Sequence, residues 1–579
     1  MKGRLLSTPY LLALLAAVTL PLTVGGRAVN PTRGDNVASA EARWTPKSGA
    51  YVRAAHYWGD EWVKNFWSSD LSRMDRDLAQ VKSDGFDTIV IVIPWTEFQP
   101  KLFPPRVNPV AFRRLETVMR AAERHRLGVV ARISYTWDFH PGADLPTLGR
   151  FAALYHDPRV YRAWLAYIAA LSRSLQSFPN FRFAFLTWED FWQLAYEPDH
   201  ATSEEARRRV AQETGFDDYL RTRFTLEEVR GELGQPVERW EDVAVPARKT
   251  AAFRLYLDFV DHELVNRIYV PARSRFPRLS MEARVDWDQL WTDPDAEPGW
   301  YRHDAQFHLP GAPFVTIYWA PAMGALNVGE EESAQDVLAR LERILKYTND
   351  LSGGKIFIDQ LIYRDNSLQF RRNARVRANE VRAFLRCTPS GLRRYTRGFA
   401  IWAYRDYATS AVYNPSFALG LSGWHVSGRV ERPRSGGGVV LEPGSTVAQA
   451  MPRARDPEVK WASHVYVELR ARSARGGAAT LRVRLASLEP RTVRLGSRER
   501  RILLSFPRDR VPSYDLELRA GRRAAIVSDV QVYSFVASGG MRRRNGTAGP
   551  EVAAVRELNA AVAHPSVDAR TAAQCTAGA

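Results

Sequence analysis

Cysteine is nearly absent: the 579-residue chain has two, Cys387 and Cys575. That excludes a disulfide-built scaffold and a thiolate metal cluster, and both cysteines are expected to be structurally incidental. Long apolar runs are missing beyond Val24, so nothing later in the chain reads as a bilayer span. The 11 histidines are scattered, with no H-x-x-x-H spacing to bind a metal. No G-x-S-x-G turn marks a serine hydrolase, and no glycine-rich phosphate loop follows an apolar strand. No metal and no cofactor is expected.

What is present points elsewhere. Hydrophobic residues make up 45% of the chain, enough for two or three folded units at this length. The 17 tryptophans and 22 tyrosines supply flat apolar faces of the kind that stack on sugar rings, although large cores use them too. The net charge is +17, and the stretch from Gly420 to Asn545 carries 24 Lys+Arg against 11 Asp+Glu. Such a surface favours anionic partners, cell-wall polymers among them, unless it only reflects an arginine-rich composition.

The start, Met1-Lys2-Gly3-Arg4 followed by an apolar run from Tyr10 to Val24, reads as a signal peptide or an uncleaved N-terminal anchor. The expected location is therefore secreted or extracytoplasmic, which argues against nucleic acid as a partner. The chain is expected to act as a monomer.

Residues 46–410 alternate short apolar strands with amphipathic helices, the pattern of a parallel α/β fold. Eight strands can be read: Val52–His56, Thr88–Ile93, Gly128–Ile133, Phe181–Leu186, Leu279–Arg284, Phe314–Tyr318, Lys355–Ile358 and Gly398–Ala403. Eight strands with intervening helices predict a (β/α)8 TIM barrel. Residues 411–538 change to short alternating strands with Gly, Pro and Ser turns, predicting an all-β sandwich. Residues 1–45 are the leader and linker, and 539–579 read as a disordered tail with one short helix near Glu551–Val562.

Active sites of such barrels lie at the C-terminal ends of the strands. There the chain places Trp95 and Glu97 after the second strand, Trp137 and Asp138 after the third, and Trp188 and Glu189 after the fourth. Glu282 and Arg284 end the fifth, Tyr318 and Trp319 the sixth, Asp359 and Gln360 the seventh, and Trp402 the eighth, with Asp406 close behind. Carboxylates converging with aromatics suit glycosidic cleavage, which needs one protonated carboxyl and one ionised partner. Glu189, Asp359 and Glu282 are the candidate catalytic residues. Trp95, Glu97, Trp137, Asp138, Trp188, Arg284, Tyr318, Trp319, Gln360 and Trp402 are the candidate substrate-binding residues.

Two segments carry a resemblance. His56-Tyr57-Trp58 through Pro94-Trp95-Thr96-Glu97-Phe98-Gln99-Pro100 and Gly398-Phe399-Ala400-Ile401-Trp402-Ala403-Tyr404-Arg405-Asp406-Tyr407 resemble the first and last units of the barrel glycosidases that include β-galactosidases and cellulases. The resemblance implies hydrolysis of an extracellular or cell-envelope polysaccharide, with Glu189 as acid/base, Trp402 flooring the sugar site and Tyr318 beside the nucleophile. Those enzymes keep Asn before the acid/base and Glu at the end of the seventh strand. Here Trp188 and Asp359-Gln360 stand there, so the nucleophile is either Asp359 or missing. A glycan-binding barrel without turnover, a transglycosylase and a polysaccharide lyase remain alternatives. Asn414-Pro415-Ser416-Phe417 through Gly420 and Trp424 resembles the opening of jelly-roll carbohydrate-binding modules, where the motif is structural.

Overall fold

The computed structural model describes residues 44–564 apart from 134–139, 192–193, 195–200, 286–287, 292–298, 322, 324–330, 365–367, 369–372, 434–436 and 457. One sheet dominates its first part. It contains β1 (Val52–His56), β2 (Thr88–Ile93), β3 (Gly128–Ile133), β4 (Phe181–Leu186), β5 (Leu279–Met281), β6 (Val315–Trp319), β7 (Ile356–Leu361) and β8 (Gly398–Ile401). All pair in parallel, in the order β6-β7-β8-β1-β2-β3-β4-β5. A parallel bridge between Glu282 and Thr316 joins the two ends, so the sheet is a closed (β/α)8 barrel.

The reason lies in the strand sequences. Thr88–Ile93 and Gly128–Ile133 are buried at every position, as strands covered on both faces must be. Val52, Ala54, Val90, Val130, Phe183, Phe185, Phe357 and Ala400 pack together as a separate cluster inside the barrel. Room is tight where β8 begins: a Cβ on Gly398 would lie 2.6 Å from Val52.

Helices α1 (Met74–Ser83), α2 (Pro109–Arg124), α3 (Pro158–Gln176), α4 (Ala334–Ser352) and α5 (Val381–Tyr395) cover the outside. Their starts are encoded locally. Asn108 accepts hydrogen bonds from the N–H groups of Val110 and Ala111, with Pro109 as the first helical residue. From there Ala111, Leu115, Val118, Met119 and Ala122 face the barrel at helical spacing.

The sandwich comprises β9 (His425–Ser427), β10 (Val430–Glu431), β11 (Val439–Leu441), β12 (Thr446–Gln449), β13 (His464–Ser473), β14 (Ala479–Leu485), β15 (Arg491–Leu495), β16 (Arg500–Pro507), β17 (Leu516–Ala520) and β18 (Ala525–Tyr533). They form two five-stranded sheets, β9-β12-β17-β14-β15 and β10-β11-β18-β13-β16. At its entrance Asn414 folds the chain back, its side chain donating to the carbonyls of Gly420 and Ser422. Trp424 Nε1 donates to the Asn414 carbonyl, and Phe417 stacks on Trp424 at 4.9 Å. The motif is built into the fold.

Two expectations are corrected here. The segment after residue 538 is no tail up to His564: α6 (Val552–Ala563) buries Val552, Val555, Leu558 and Val562 in the barrel's own core. Nor is Cys387, on α5, incidental: it is disulfide-bonded, while the only other cysteine, Cys575, lies outside the described residues.

The C-terminal segment is fastened through Asp84, which is fully buried. Arg542 clasps both its oxygens at 2.6 and 2.7 Å, Tyr404 donates at 2.8 Å and Arg556 at 2.9 Å. Burial alone would raise this carboxyl, but the hydrogen bonds from Arg542, Tyr404 and Arg556 outweigh it and hold it below its ordinary value. Asp84→Asn would leave Arg542 buried without its counter-charge, so unfolding at neutral pH should become easier by about 3–5 kcal/mol. Because the folded value is depressed, the wild-type advantage is full above the ordinary carboxylate range and fades as pH falls through the folded value. A denaturation series showing no cost at neutral pH would refute this anchoring role.

Candidate active site

Side chains alternate along a strand, so one parity on each barrel strand points inward. At the C-terminal end this brings His56, Arg132, Glu282, Asp359 and Trp402 towards one another, with Thr187 and Glu189 just past β4. Arg132 is the centre of the group and is fully buried. Its Nη2 donates to Thr187 Oγ1 at 2.9 Å and to Glu189 Oε2 at 2.9 Å, and lies 4.0 Å from Glu282 Oε2. The nearest oxygens of the two glutamates are thus no more than about 7 Å apart. Glu189 is the exposed member, its side chain 40% accessible.

Beneath it Glu282 and Asp359 are 1% and 0% exposed. Among the described residues no hydroxyl or side-chain N–H donates to either carboxyl, and only the backbone N–H of Gln360 approaches Asp359. The two carboxyls lie close enough to interact directly, which favours one of them keeping its proton. Burial, then the charge of Asp359, pushes Glu282 well above its ordinary value, and Arg132 only partly offsets this. Burial raises Asp359 to about 6, opposed by Arg132 and by the interaction with Glu282. Of the pair, Glu282 is the partner whose proton is favoured and Asp359 the one that ionises more readily.

Asp359 is also the extra residue of a β-bulge: Ile358 faces Ile317, but Gln360 faces Tyr318. The bulge re-aims the end of β7. His56 holds it there, Nε2 donating to the Asp359 carbonyl at 2.7 Å. Burial, reinforced by the charge of Arg132, lowers His56 to about 3, so this imidazole is neutral and serves as a fixed donor. Trp402 completes the wall, 4.8 Å from His56 and 4.7 Å from Trp58 between ring centroids. The Arg132 guanidinium lies 5.8 Å from its ring.

The fold divides the expected residues. Glu189, Glu282, Asp359 and Trp402 come together. Gln360 and half-buried Tyr318 face each other across β7 and β6. Arg284 follows Glu282 by two residues and is buried, its N–H bound to Gln306 Oε1 at 2.8 Å. Trp137, Asp138 and the side chain of Trp188 lie outside the described residues.

Three residues expected to bind substrate are placed elsewhere. Trp95 is fully buried, donating to Gln99 and stacked on Tyr167 of α3 at 6.1 Å, because it opens a helical turn that rotates it out of the mouth. Trp319 stacks on Phe384 of α5 at 5.6 Å, on the outer parity of β6. Glu97, 3% exposed, faces the sandwich, where the Tyr413 hydroxyl donates to it at 3.4 Å. Asp406 is buried and accepts from the Gly540 N–H at 3.0 Å, a structural contact.

His56 and Trp58 stand at the end of the first strand in the sequence, and Arg132 is a candidate ion-pair partner of Glu282 there, but none of the three is among the expected catalytic or substrate-binding residues. For Arg132 the signal was available: an arginine within the otherwise apolar strand GVVARI needs a buried counter-charge.

No protein-family model matches the chain, and no curated protein matches it in sequence. Among solved structures, the exo-β-1,4-mannosidase Op5Man5 from Opitutaceae bacterium strain TAV5 aligns at 16% identity and a TM-score of 0.35, over 63% of this chain. The chain spans 56% of that mannosidase's length. The β-glycosidase BGL167 aligns at 15% identity and TM-score 0.37, covering 62% of this chain and 87% of its own. GH5_18 from Streptomyces cattleya, solved with GlcNAc, aligns at 14% and 0.36, covering 62% and 72%. The barrel is established here by its own strand order, and the chemistry has to be argued from its own residues.

Proposed function

We propose that this chain is an exported glycoside hydrolase acting on an extracellular or cell-envelope polysaccharide. The observation that carries the reading is the Arg132 bridge. One guanidinium holds an accessible carboxyl, Glu189, beside a buried carboxyl pair, Glu282 and Asp359, at the mouth of a closed barrel against Trp402. Glu189 protonates the leaving oxygen, and Asp359 is the nucleophile or base. Incubation with a panel of polysaccharides, followed by product analysis, tests this. Reducing sugars support hydrolysis. Unsaturated ends would make the protein a lyase, and lengthened chains a transglycosylase.

A second reading, a glycan-binding barrel without turnover, draws on the complete burial of Asp359, which keeps the ionised carboxyl away from solvent. Binding with no product from any polymer would favour it.

Export is supported by the basic-then-apolar N-terminus and by the disulfide at Cys387, a bond that persists in oxidising compartments. The protein secreted by its native host should therefore show no free thiol when denatured without reductant. One or two titratable thiols would count against export.

A further inference from the structure

We propose that the outer face of the sheet β9-β12-β17-β14-β15 is a docking surface for a carboxylate-bearing polysaccharide. Along β14, Ala479, Leu481, Val483 and Leu485 fill the sandwich core, while Thr480, Arg482 and Arg484 turn outward. The register places Arg482 directly opposite Arg519 on one side and Thr492 on the other, with Arg494 opposite Thr480. From Arg519 the row runs on through Thr446 to Ser427. Arg482, Arg494 and Arg519 are all exposed.

Like charges directly opposed across strands are unfavourable, so the sequence sustains a cost here. The nearby carboxylate, Glu517, is taken by Arg484. Among the described residues no carboxylate pairs with Arg482, Arg494 or Arg519. On the other sheet the directly opposed arginines Arg470 and Arg501 each have a carboxylate, unlike Arg482 and Arg519, although Arg472 and Arg500 there have no carboxylate partner among the described residues. Arg501 and Arg544 pair with Glu468, and Arg470 with Asp529.

The form of that face selects its partner. Guanidinium forks match carboxylates two bonds at a time. The serine and threonine hydroxyls between them suit sugar hydroxyls. The face is a flat strip across strands about 4.8 Å apart, so it fits a repeating polymer better than a single small anion. Its row offers no large apolar side chain to enter a lipid layer, which sets it apart from a membrane-binding surface. The choice of a sugar polymer rests on the reading of the barrel as glycan-active.

The test is affinity electrophoresis of the full chain through gels containing polygalacturonate, its fully methyl-esterified form, or polyphosphate. Wild type should be retarded by polygalacturonate, hardly by the ester, and progressively less as salt rises, because exposed charges are screened over about 10 Å at 0.1 M. The R482Q/R494Q/R519Q variant should bind at least about tenfold more weakly. A control with the same charge loss, R113Q/R162Q/R173Q on the exposed faces of α2 and α3, should bind as wild type does. Equal weakening in both variants would reduce the effect to net charge and overturn the proposal. So would equal retention by the ester, or tighter retention by polyphosphate. Binding is read without turnover: retention by a protein that cleaves nothing would defeat only the hydrolase reading, and cleavage without retention only this one.

Discussion

Glu189→Gln should slow hydrolysis of the natural polymer, and of glycosides with poor leaving groups, by roughly 10²–10⁴-fold. The variant keeps the shape of the side chain, and its amide oxygen can still accept from Arg132, whose Nη2 lies 2.9 Å from Glu189 Oε2. What it loses is the proton that the departing oxygen needs. Activated aryl glycosides, which leave as stable anions, should suffer far less in the first step. That contrast separates a proton donor from a residue that only binds substrate, since a binding defect would affect both substrates alike. Near wild-type turnover of the polymer would sink the assignment. Attention would then pass to Glu282, whose carboxyl is raised well above its ordinary value by burial and by Asp359.

The first four barrel strands were legible to the residue, because continuous apolar runs such as TIVIVI have one buried interpretation once helices flank them. Later boundaries drifted where pairing rather than composition decides. The fifth strand stops at Met281 because Glu282 makes only an isolated bridge, and the seventh runs to Leu361 because a bulge absorbs Asp359. The strand-end rule found Glu189, Glu282, Asp359 and Trp402, but it does not say which way a residue points after the strand. Trp95 and Glu97 belong to a helical turn, and Trp319 to the outer parity of its strand, so all three left the mouth.

The C-terminal segment shows a different limit. An alanine-rich stretch looks undemanding in composition, yet Val552, Val555, Leu558 and Val562 recur at helical spacing and dock on the barrel. What made that docking obligatory, the buried carboxyl of Asp84 waiting for Arg542, lies 458 residues away in sequence. Nothing in local pattern links the two. The site has the same property: Arg132 acquires its meaning only when barrel closure sets the ends of β3, β4 and β5 side by side.

Asp359→Asn should abolish hydrolysis and, at neutral pH, stabilise the fold. The carboxylate is fully buried, and its folded value is raised from 3.8 to about 6, chiefly by burial. The folded chain therefore holds this proton longer than the unfolded chain does. Below the unfolded value both states are protonated and Asp359 costs nothing. Between that value and about 6 each rise in pH favours unfolding, and above about 6 the full cost is present. Asparagine removes it, so the variant should gain about 3 kcal/mol at pH 7–8 and nothing near pH 3. The same ionisation should appear in catalysis, with wild-type kcat/KM rising along an acidic limb centred near 6 as the carboxylate forms. A buried charge that lowers stability at neutral pH belongs to a functional site more readily than to a structural one, since structure alone would favour the amide. Denaturation curves of both proteins across pH decide it. If the asparagine variant is the less stable at pH 7–8, Arg132 gains more from Asp359 than burial costs, and the pair is an ion-pair anchor rather than a poised carboxylate.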